Sequence, residues 1–307
     1  MDDGGWRMEN MSERRYLLVG GAGYFGARLA EALEGEVVVT QRSAAPEREA
    51  WALAHGIEMV SYDSTAGGLN VAGDFDAIIN LASPGAAEAA RDPEAAMQRA
   101  QRAAEECLSL LKAGRAGRLL HFSTFHVYGA GGRAKFAEAD ELVPIHPYGR
   151  SHAACEALVL AHEKTLVLRP SNMVGAPAHA ALGEQAKLMF LDLCRQAAAG
   201  AIRLQNDGLS YRDFLPFEEA ISAVKVLLNA PLSGQRIFNL ACGQSTRLDA
   251  VAQMIQRVAG AESLEFGTGT DAFRAPFEVD VSRLRALGWE PGTSLEDETG
   301  RILSFYR

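Results

Sequence analysis

The chain has few cysteines, and none stands where a disulfide framework or a zinc site would need it. The four thiols are far apart, with no C-x-x-C pair and no histidine at a metal-ligand spacing. We therefore expect reduced, mostly buried thiols and no metal site. The four residues are Cys107, Cys155, Cys194 and Cys242.

Basic clusters and long apolar runs are also absent from the sequence. The 30 lysines and arginines are scattered among 39 aspartates and glutamates, for a net charge of −9, which disfavours nucleic acid and anionic lipid as partners. No apolar run approaches the roughly 18–20 residues that span a bilayer. Residues 1–15 lack the apolar core of a secretory signal, so we expect a disordered tail over 1–14 and a cytoplasmic location.

What is present is ample material for a core, because 48% of the 307 residues are hydrophobic and only 22% are charged. From Tyr16 onward, apolar runs of strand length alternate with Ala-rich amphipathic segments, which is typical of βαβ units. The pattern predicts an α/β fold with a doubly wound parallel sheet, a Rossmann domain, over 15–170. A smaller α/β substrate lobe is predicted over 171–307, with some of its segments packing back on the first domain.

Predicted strands and helices follow from the same alternation. In the first domain we expect strands over 16–20, 36–41, 56–62, 76–83, 118–124 and 165–170, and helices over 25–35, 46–56, 93–114 and 151–164. In the smaller lobe we expect strands over 202–205 and 235–241, and helices over 188–200, 217–230 and 248–260.

A glycine-rich loop directly follows the first predicted strand. In this position Gly20 allows a tight turn, Gly23 lets the backbone approach a pyrophosphate, and Gly26 permits close helix packing. The amino end of the following helix stabilises negative charge. Strand, loop and helix in this order predict a dinucleotide site, with a ligand-free turn as the alternative.

The end of the second strand indicates which dinucleotide binds. Gln41 occupies the place where an NAD site usually has an acidic residue, and Arg42 follows it. A guanidinium there can bind a 2′-phosphate, so NADP is the expected cofactor, with NAD as a further possibility and a solvated surface arginine as the alternative. Asp63, after the third strand, either contacts adenine, which we favour, or caps the next segment.

Several segments together resemble the extended short-chain dehydrogenase/reductase superfamily, the NAD-dependent epimerase/dehydratase family that modifies nucleotide sugars. They extend over nearly the whole chain after Tyr16, with one minor departure, Val19 where the family usually has Thr. The segments are LLVGGAGYFG, NLAS, Asp92-Pro93, HFSTFHVYG, PYGRSH, LRPSNMVG, YRDF and LGWEP.

The resemblance implies a catalytic pair, Thr124 and the tyrosine of a Y-x-x-x-K motif, Tyr148. Thr124 can hydrogen-bond a substrate oxygen, and Tyr148 can exchange a proton with it as hydride moves to or from a nicotinamide. The alternatives are a threonine that satisfies only a backbone group and a tyrosine that is only a loop aromatic.

The motif departs from the family at its last position, where His152 replaces the lysine. The family lysine binds the nicotinamide ribose and lowers the pKa of the tyrosine from about 10. A histidine of ordinary pKa, about 6.5, is mostly neutral at pH 7, so it can bind ribose yet leaves Tyr148 mostly protonated. This arrangement suits an acid better than a base.

Other site residues are also implied by the resemblance. Phe125 and His126 stand where the 4,6-dehydratases of the family have an acid–base pair, so dehydration is disfavoured. His126 is a candidate acid or base, with a packed or solvent-facing histidine as the alternative. His179 is a weaker candidate.

The remaining expected contacts are with cofactor and substrate. The cofactor-binding set is completed by Tyr24, Phe25, Leu81, Ala82 and Ser83, together with Tyr148 and His152. The expected substrate-binding residues are Thr124, Asn172, Arg212 and Arg274. The two arginines are included because a guanidinium group can form paired hydrogen bonds with phosphate oxygens. Surface or capping roles are the alternatives for the two arginines.

The leading hypothesis from the sequence is an NADPH-dependent ketoreductase acting on a nucleotide-activated sugar. One alternative is a nucleotide-sugar 4-epimerase with tightly bound NAD, and another is a non-catalytic NADP-binding protein, for which the missing lysine is the chief argument. The resemblance also implies a homodimer.

Overall fold

The computed structural model describes residues 13–129, 132–186 and 188–307. Of the predicted tail over 1–14, only Glu13 and Arg14 belong to this part, and the rest lies outside the described residues. Arg14 donates to the Asn229 side chain at 2.8 Å. Within the described ranges, no helix is both long enough and apolar enough to span a membrane.

The strands and helices alternate through the first half of the chain and are more irregular in the second. The strands are β1 (Arg15–Val19), β2 (Glu36–Gln41), β3 (Glu58–Ser61), β4 (Ala77–Asn80), β5 (Leu119–Phe122), β6 (Lys135–Phe136), β7 (Thr165–Pro170), β8 (Asn172–Val174), β9 (Ala201–Asn206), β10 (Tyr211–Arg212), β11 (Phe214–Pro216), β12 (Ile237–Leu240), β13 (Thr246–Arg247), β14 (Ser263–Gly269) and β15 (Glu278–Val279). The helices are α1 (Tyr24–Ala32), α2 (Pro46–Ala54), α3 (Ala86–Arg91), α4 (Pro93–Lys112), α5 (Pro147–Val159), α6 (Ala180–Gln185), α7 (Met189–Ala198), α8 (Phe217–Asn229), α9 (Leu248–Ala259), α10 (Ser282–Arg285) and α11 (Leu295–Tyr306), with a 3-10 helix over Phe125–Tyr128.

A seven-stranded sheet forms the centre of the molecule, in the order β12-β7-β5-β4-β1-β2-β3. All of its neighbouring strands pair in parallel. The order reverses between β1 and β4, and ligands of doubly wound sheets bind in the crevice that opens at such a point. The predicted fold class is confirmed.

Both faces of the sheet are covered by helices. Along β1, Tyr16 and Leu18 pack into the same apolar cluster as residues of α1 and α8, whereas Leu17 and Val19 pack with residues of α4 and α5. Because the central strands are buried on both faces, their sequences are continuous apolar runs rather than alternations.

A third apolar cluster supports the smaller lobe. It joins α7, α9 and α11 to β9, which pairs in parallel with β14. The sequence did not predict α11 or β14. Ser294 accepts a hydrogen bond from the backbone N–H of Asp297 and so caps α11, a signal that the sequence contained. β14 is largely exposed and contains only two large apolar residues, Leu264 and Phe266, so it lacks the apolar run from which the other strands were predicted.

Two other elements differ from prediction in ways that affect the site. The predicted helix over 151–164 begins one turn earlier, at Pro147, which occupies a position where a missing N–H costs nothing. The strand predicted for the smaller lobe, 235–241, forms β12, the edge strand of the large sheet beside β7.

Candidate functional site

The glycine loop lies against the end of the fourth strand. Gly20 has φ +80°, and a Cβ on it would lie 2.9 Å from the backbone nitrogen of Ala82. The N–H of Gly23 donates to the carbonyl of Gly20 at 3.1 Å, and α1 begins at the next residue without a side-chain cap. The loop is therefore held close to β4, with the amino end of α1 free of a capping side chain.

Four residues that the sequence predicted to bind the cofactor do not line the cavity beside this loop: Tyr24, Phe25, Gly26 and Leu81. A Cβ on Gly26 would come within 2.7 Å of the carbonyl oxygen of Gly21, so this glycine allows α1 to pack on its own loop. The Tyr24 hydroxyl donates to the carbonyl of Gly175, and the Phe25 ring is buried in the core. Leu81 also packs on the core.

A cavity of about 310 Å³ opens where β1, β2, β3 and β4 end. It brings together seven of the predicted cofactor-binding residues: Gly20, Gly23, Gln41, Arg42, Asp63, Ala82 and Ser83. The walls contain Arg42, Arg48 and Arg99 as cations and Asp63 and Glu88 as anions.

One end of this cavity contains the side chains predicted to select NADP over NAD and to contact the adenine. Gln41 is buried, and its Oε1 has no hydrogen-bond partner among the described residues. Arg42 is exposed. Asp63 accepts from the backbone N–H of Thr65 at 2.8 Å, so it does cap its own turn. This bond, and more weakly the charges of Arg99 and Arg42, lower the pKa of Asp63.

Sequence reasoning missed two arginines of the cavity wall. Arg48 lies in the first turn of α2 and donates to the carbonyl of Ser43 at 3.2 Å. Arg99 lies on α4 and pairs with Glu88 of α3. Neither arginine belongs to a sequence motif. Both lie on helices, where the periodic pattern of apolar residues identifies only the buried face.

The predicted catalytic pair comes from the end of β5 and the start of α5. Thr124 is buried and its Oγ1 accepts from the backbone N–H of His126 at 3.3 Å, so it satisfies a backbone group as well. Tyr148 is the second residue of α5 rather than part of a loop. Burial raises the pKa of Tyr148, and a side-chain hydrogen bond with Thr124 opposes that increase.

His152 lies one turn further along α5, with its ring centroid 4.6 Å from that of Tyr148. Its Nε2 is 2.9 Å from the Oγ of Ser83. Burial, and then the nearby His121 and His126, lower the pKa of His152 to about 3. The imidazole is therefore neutral at physiological pH.

His126 lies on the other side of Tyr148, with 5.8 Å between the ring centroids. His126 is exposed to solvent. Desolvation by its neighbours, and then the positive charge of Arg212, lower the pKa of His126. It too is a neutral group beside the tyrosine.

A second, small cavity of about 30 Å³ adjoins Thr124 and His126 and reaches Asn172 and Arg212. The Asn172 side chain donates to the carbonyl of Asp213 at 2.8 Å. Three of the four predicted substrate-binding residues therefore meet here.

Arg212 is held by two residues of the segment between β14 and β15. Its guanidinium pairs with Asp271 and lies over the ring of Phe273, 5.5 Å from the centroid. Phe273 has φ +47°, an unfavourable backbone conformation for a bulky residue.

Two residues named from the sequence lie elsewhere. Arg274 directs its guanidinium to Asp207, at 2.7 Å, and does not line this cavity. His179 packs on Trp51 of α2, with 6.0 Å between ring centroids. The described part of the chain contains no group of three or more His, Cys, Asp or Glu residues that could hold a metal ion.

Comparison with known proteins gives a family and a fold. The sequence model described as the NAD dependent epimerase/dehydratase family matches residues 16–241. The chain is 28% identical over 196 residues to the low-salt glycan biosynthesis protein Agl12 of Haloferax volcanii, a match that covers 62% of the chain and 61% of that protein. It is 26% identical over 199 residues to a dTDP-glucose 4,6-dehydratase of an Actinoplanes species, covering 62% of the chain and 60% of the relative.

The fold is shared with a solved UDP-N-acetylglucosamine 4-epimerase from Methanobrevibacter ruminantium, in complex with UDP-N-acetylmuramic acid. The TM-score is 0.84 at 17% identity, covering 96% of this chain and 99% of the other. In contrast, the chain spans only about three fifths of the length of the two sequence relatives.

Proposed function

The chain belongs to the NAD dependent epimerase/dehydratase family, as the sequence predicted, and we propose that it is an NADPH-dependent reductase of a keto group on a nucleotide-activated sugar. Bound NADPH would supply the hydride. Thr124 hydrogen-bonds the carbonyl oxygen, and Tyr148 donates the proton that this oxygen takes up.

The observation that carries the proposal is a buried histidine, His152, at the position where the family has a lysine. With the pKa of His152 near 3, no fixed positive charge lies beside Tyr148 in the place where the family has a lysine. Burial raises the pKa of Tyr148, so its hydroxyl keeps its proton at neutral pH. A protonated tyrosine can act at once as the acid of a reduction, whereas oxidation of an alcohol needs the tyrosinate.

The larger cavity fits the cofactor. The close approach of Gly20 to Ala82 leaves a backbone cradle that a Cβ would fill, beside the uncapped start of α1. The Oε1 of buried Gln41, which has no partner in the described part of the chain, can accept from a ribose hydroxyl or the adenine amino group. Arg42 and Arg48 supply positive charge at the same end, which supports a 2′-phosphate and hence NADP.

The smaller cavity supports the substrate class. Arg212 and Asn172 lie beside Thr124, so a diphosphate held by Arg212 would place an attached sugar toward the catalytic pair. His126 then lies near the sugar as a neutral group that can donate or accept a hydrogen bond.

The experiment is to follow the absorbance of NADPH with purified protein and a panel of nucleotide-linked ketosugars. We expect oxidation of NADPH with at least one of them, and a rate loss of roughly 10²–10⁴ in Tyr148→Phe, on the usual scale for general acid catalysis. Tyr306→Phe, whose hydroxyl lies in the smaller lobe near Gly183, is the matched control and should keep full activity.

Two results would contradict the proposal. Interconversion of 4-epimers with retained NAD and no net change of cofactor would identify an epimerase. Binding of NADPH without oxidation across the panel would identify a non-catalytic binding protein. The homodimer and the cytoplasmic location stay predictions from the sequence.

A further inference from the structure

A buried carboxylate joins the two elements that carry the proposed catalytic pair. Glu156 is 2% exposed and lies on α5, and its Oε1 accepts a hydrogen bond from the Oγ of Ser123, which is 3% exposed. Ser123 is the residue immediately before Thr124. The bond therefore links the end of β5 to the helix that contains Tyr148.

The spacing along α5 puts this carboxylate on the catalytic face of the helix. Tyr148, His152 and Glu156 follow one another at intervals of four residues, so they lie above one another on one side. A displacement of Glu156 along or around the helix axis would move Tyr148 with it.

Arg169 of β7 prevents the carboxylate from rotating. Its Nε donates to Oε1 of Glu156 at 3.0 Å, and its Nη2 donates to Oε2 at 2.6 Å. The fork geometry fixes the plane of the carboxylate. Arg169 also donates to the Tyr128 hydroxyl at 3.0 Å, at the end of the 3-10 helix that Thr124 begins.

We propose that Glu156 is a positioning residue that sets the separation of the Thr124 and Tyr148 hydroxyls through Ser123. The inference rests on the proposed function in giving these hydroxyls their catalytic roles. A shift of about 1 Å between reacting groups can lower a rate by roughly 10²-fold, so a small change in this link has a large kinetic effect.

Ser123→Ala is the test, because it removes the link and leaves the Glu156–Arg169 ion pair in place. We expect kcat to fall by roughly 10–100-fold, with KM for the ketosugar and the Kd for NADPH within about twofold of the unmutated protein. The loss should disappear when Tyr148→Phe is already present, since a link that acts through Tyr148 has nothing left to position. An equal loss in both backgrounds, or an unchanged kcat, overturns the inference.

Ser222→Ala is the matched control. This hydroxyl, like that of Ser123, is hydrogen-bonded within the protein, accepting from Nε1 of Trp289 at 2.9 Å and donating to the carbonyl of Glu219 at 3.0 Å, and it lies on α8 away from the pair. It should leave kcat unchanged in both backgrounds.

A second measurement tests the geometry whatever reaction the protein catalyses. A fluorinated tyrosine placed at position 148 can be titrated by fluorine NMR in the unmutated protein, in Ser123→Ala and in Ser222→Ala. Ser123→Ala should raise the tyrosine pKa, because the opposing hydrogen bond with Thr124 is weakened. An unchanged pKa overturns the positioning inference, whereas a raised pKa without reductase activity overturns only the proposed function.

Discussion

The Nε2 atom of His152 lies 2.9 Å from the Oγ of Ser83, so the residue that replaces the family lysine is tied to the end of β4. This hydrogen bond joins α5 to the loop after β4, and Ser83 also lines the larger cavity. It suits a neutral imidazole, which can donate or accept at Nε2.

Restoring a charge at this position should change the pH dependence of the enzyme. A lysine ammonium beside Tyr148 favours the tyrosinate, so His152→Lys should lower the tyrosine pKa. We expect the rising limb of the pH profile for alcohol oxidation to move down by roughly 1–3 pH units, while ketone reduction near pH 7 changes little. The measurement is the pH–rate profile in both directions.

His152→Gln is the control for that variant, because it keeps a neutral hydrogen-bonding group. Its rising limb should stay where the unmutated protein has it. If His152→Lys leaves the limb in place while His126→Ala moves it, then His126 is the base and the role given to Tyr148 is wrong.

The cofactor preference should depend on Arg42. A charge-assisted contact with a 2′-phosphate is worth roughly 1.5–3 kcal/mol, so Arg42→Ala should weaken NADPH binding by about 10–100-fold and leave NADH nearly unchanged. Calorimetric titration of both dinucleotides measures this. The exposed Arg203 on β9 provides a control that should affect neither. Equal affinities in the unmutated protein would refute the assignment of NADP.

Gly20→Ala should separate backbone strain from the need for a close approach. Gly20 and Gly56 both have positive φ, so alanine at either position costs about 1–2 kcal/mol of stability. Only Gly20 would place its new methyl against Ala82, whereas the space around Gly56 is open. We expect Gly20→Ala to weaken NADPH affinity by at least about tenfold and to be less stable in urea than Gly56→Ala. Similar losses in the two variants would argue against the cradle.

Asp271→Asn should strengthen the binding of a nucleoside diphosphate. Asp271 neutralises Arg212 and would repel a phosphate placed there, by on the order of 1 kcal/mol near the surface. UDP is a suitable probe, and its Kd should fall roughly fivefold. Asp207→Asn, which frees Arg274 instead, should leave the Kd unchanged. A higher Kd in Asp271→Asn would mean that Asp271 orients Arg212 rather than competing with the phosphate for it.

The sequence predicted the parts of the site that depend on chain order. Thr124 follows β5, and Tyr148 lies in the first turn of α5, four residues before His152, so both come to the edge of the sheet where its parallel strands end. The direction of a long side chain is not encoded in that order. Arg274 stands in the expected stretch but pairs with Asp207, and Arg48 and Arg99 reach the cofactor cavity from helices without a motif.

Electrostatic states also required the structure. A histidine at position 152 can be read from the sequence, but its neutrality depends on burial and on the neighbouring His121 and His126. The hydrogen-bond partners of Glu156 also required the structure, because Ser123 follows β5 and Arg169 lies in β7.

The position of β12 has a consequence for how the protein is made. Ile237–Leu240 closes the edge of the sheet beside β7, although some 66 residues separate β12 from the end of that strand. During synthesis, β7 therefore emerges from the ribosome long before β12 does. The N–H and C=O groups of β7 that later bond to β12 remain unpaired until then. A nascent or truncated chain that ends after Pro170 should be prone to edge-to-edge aggregation, and a chain that extends past Leu240 should be protected from it.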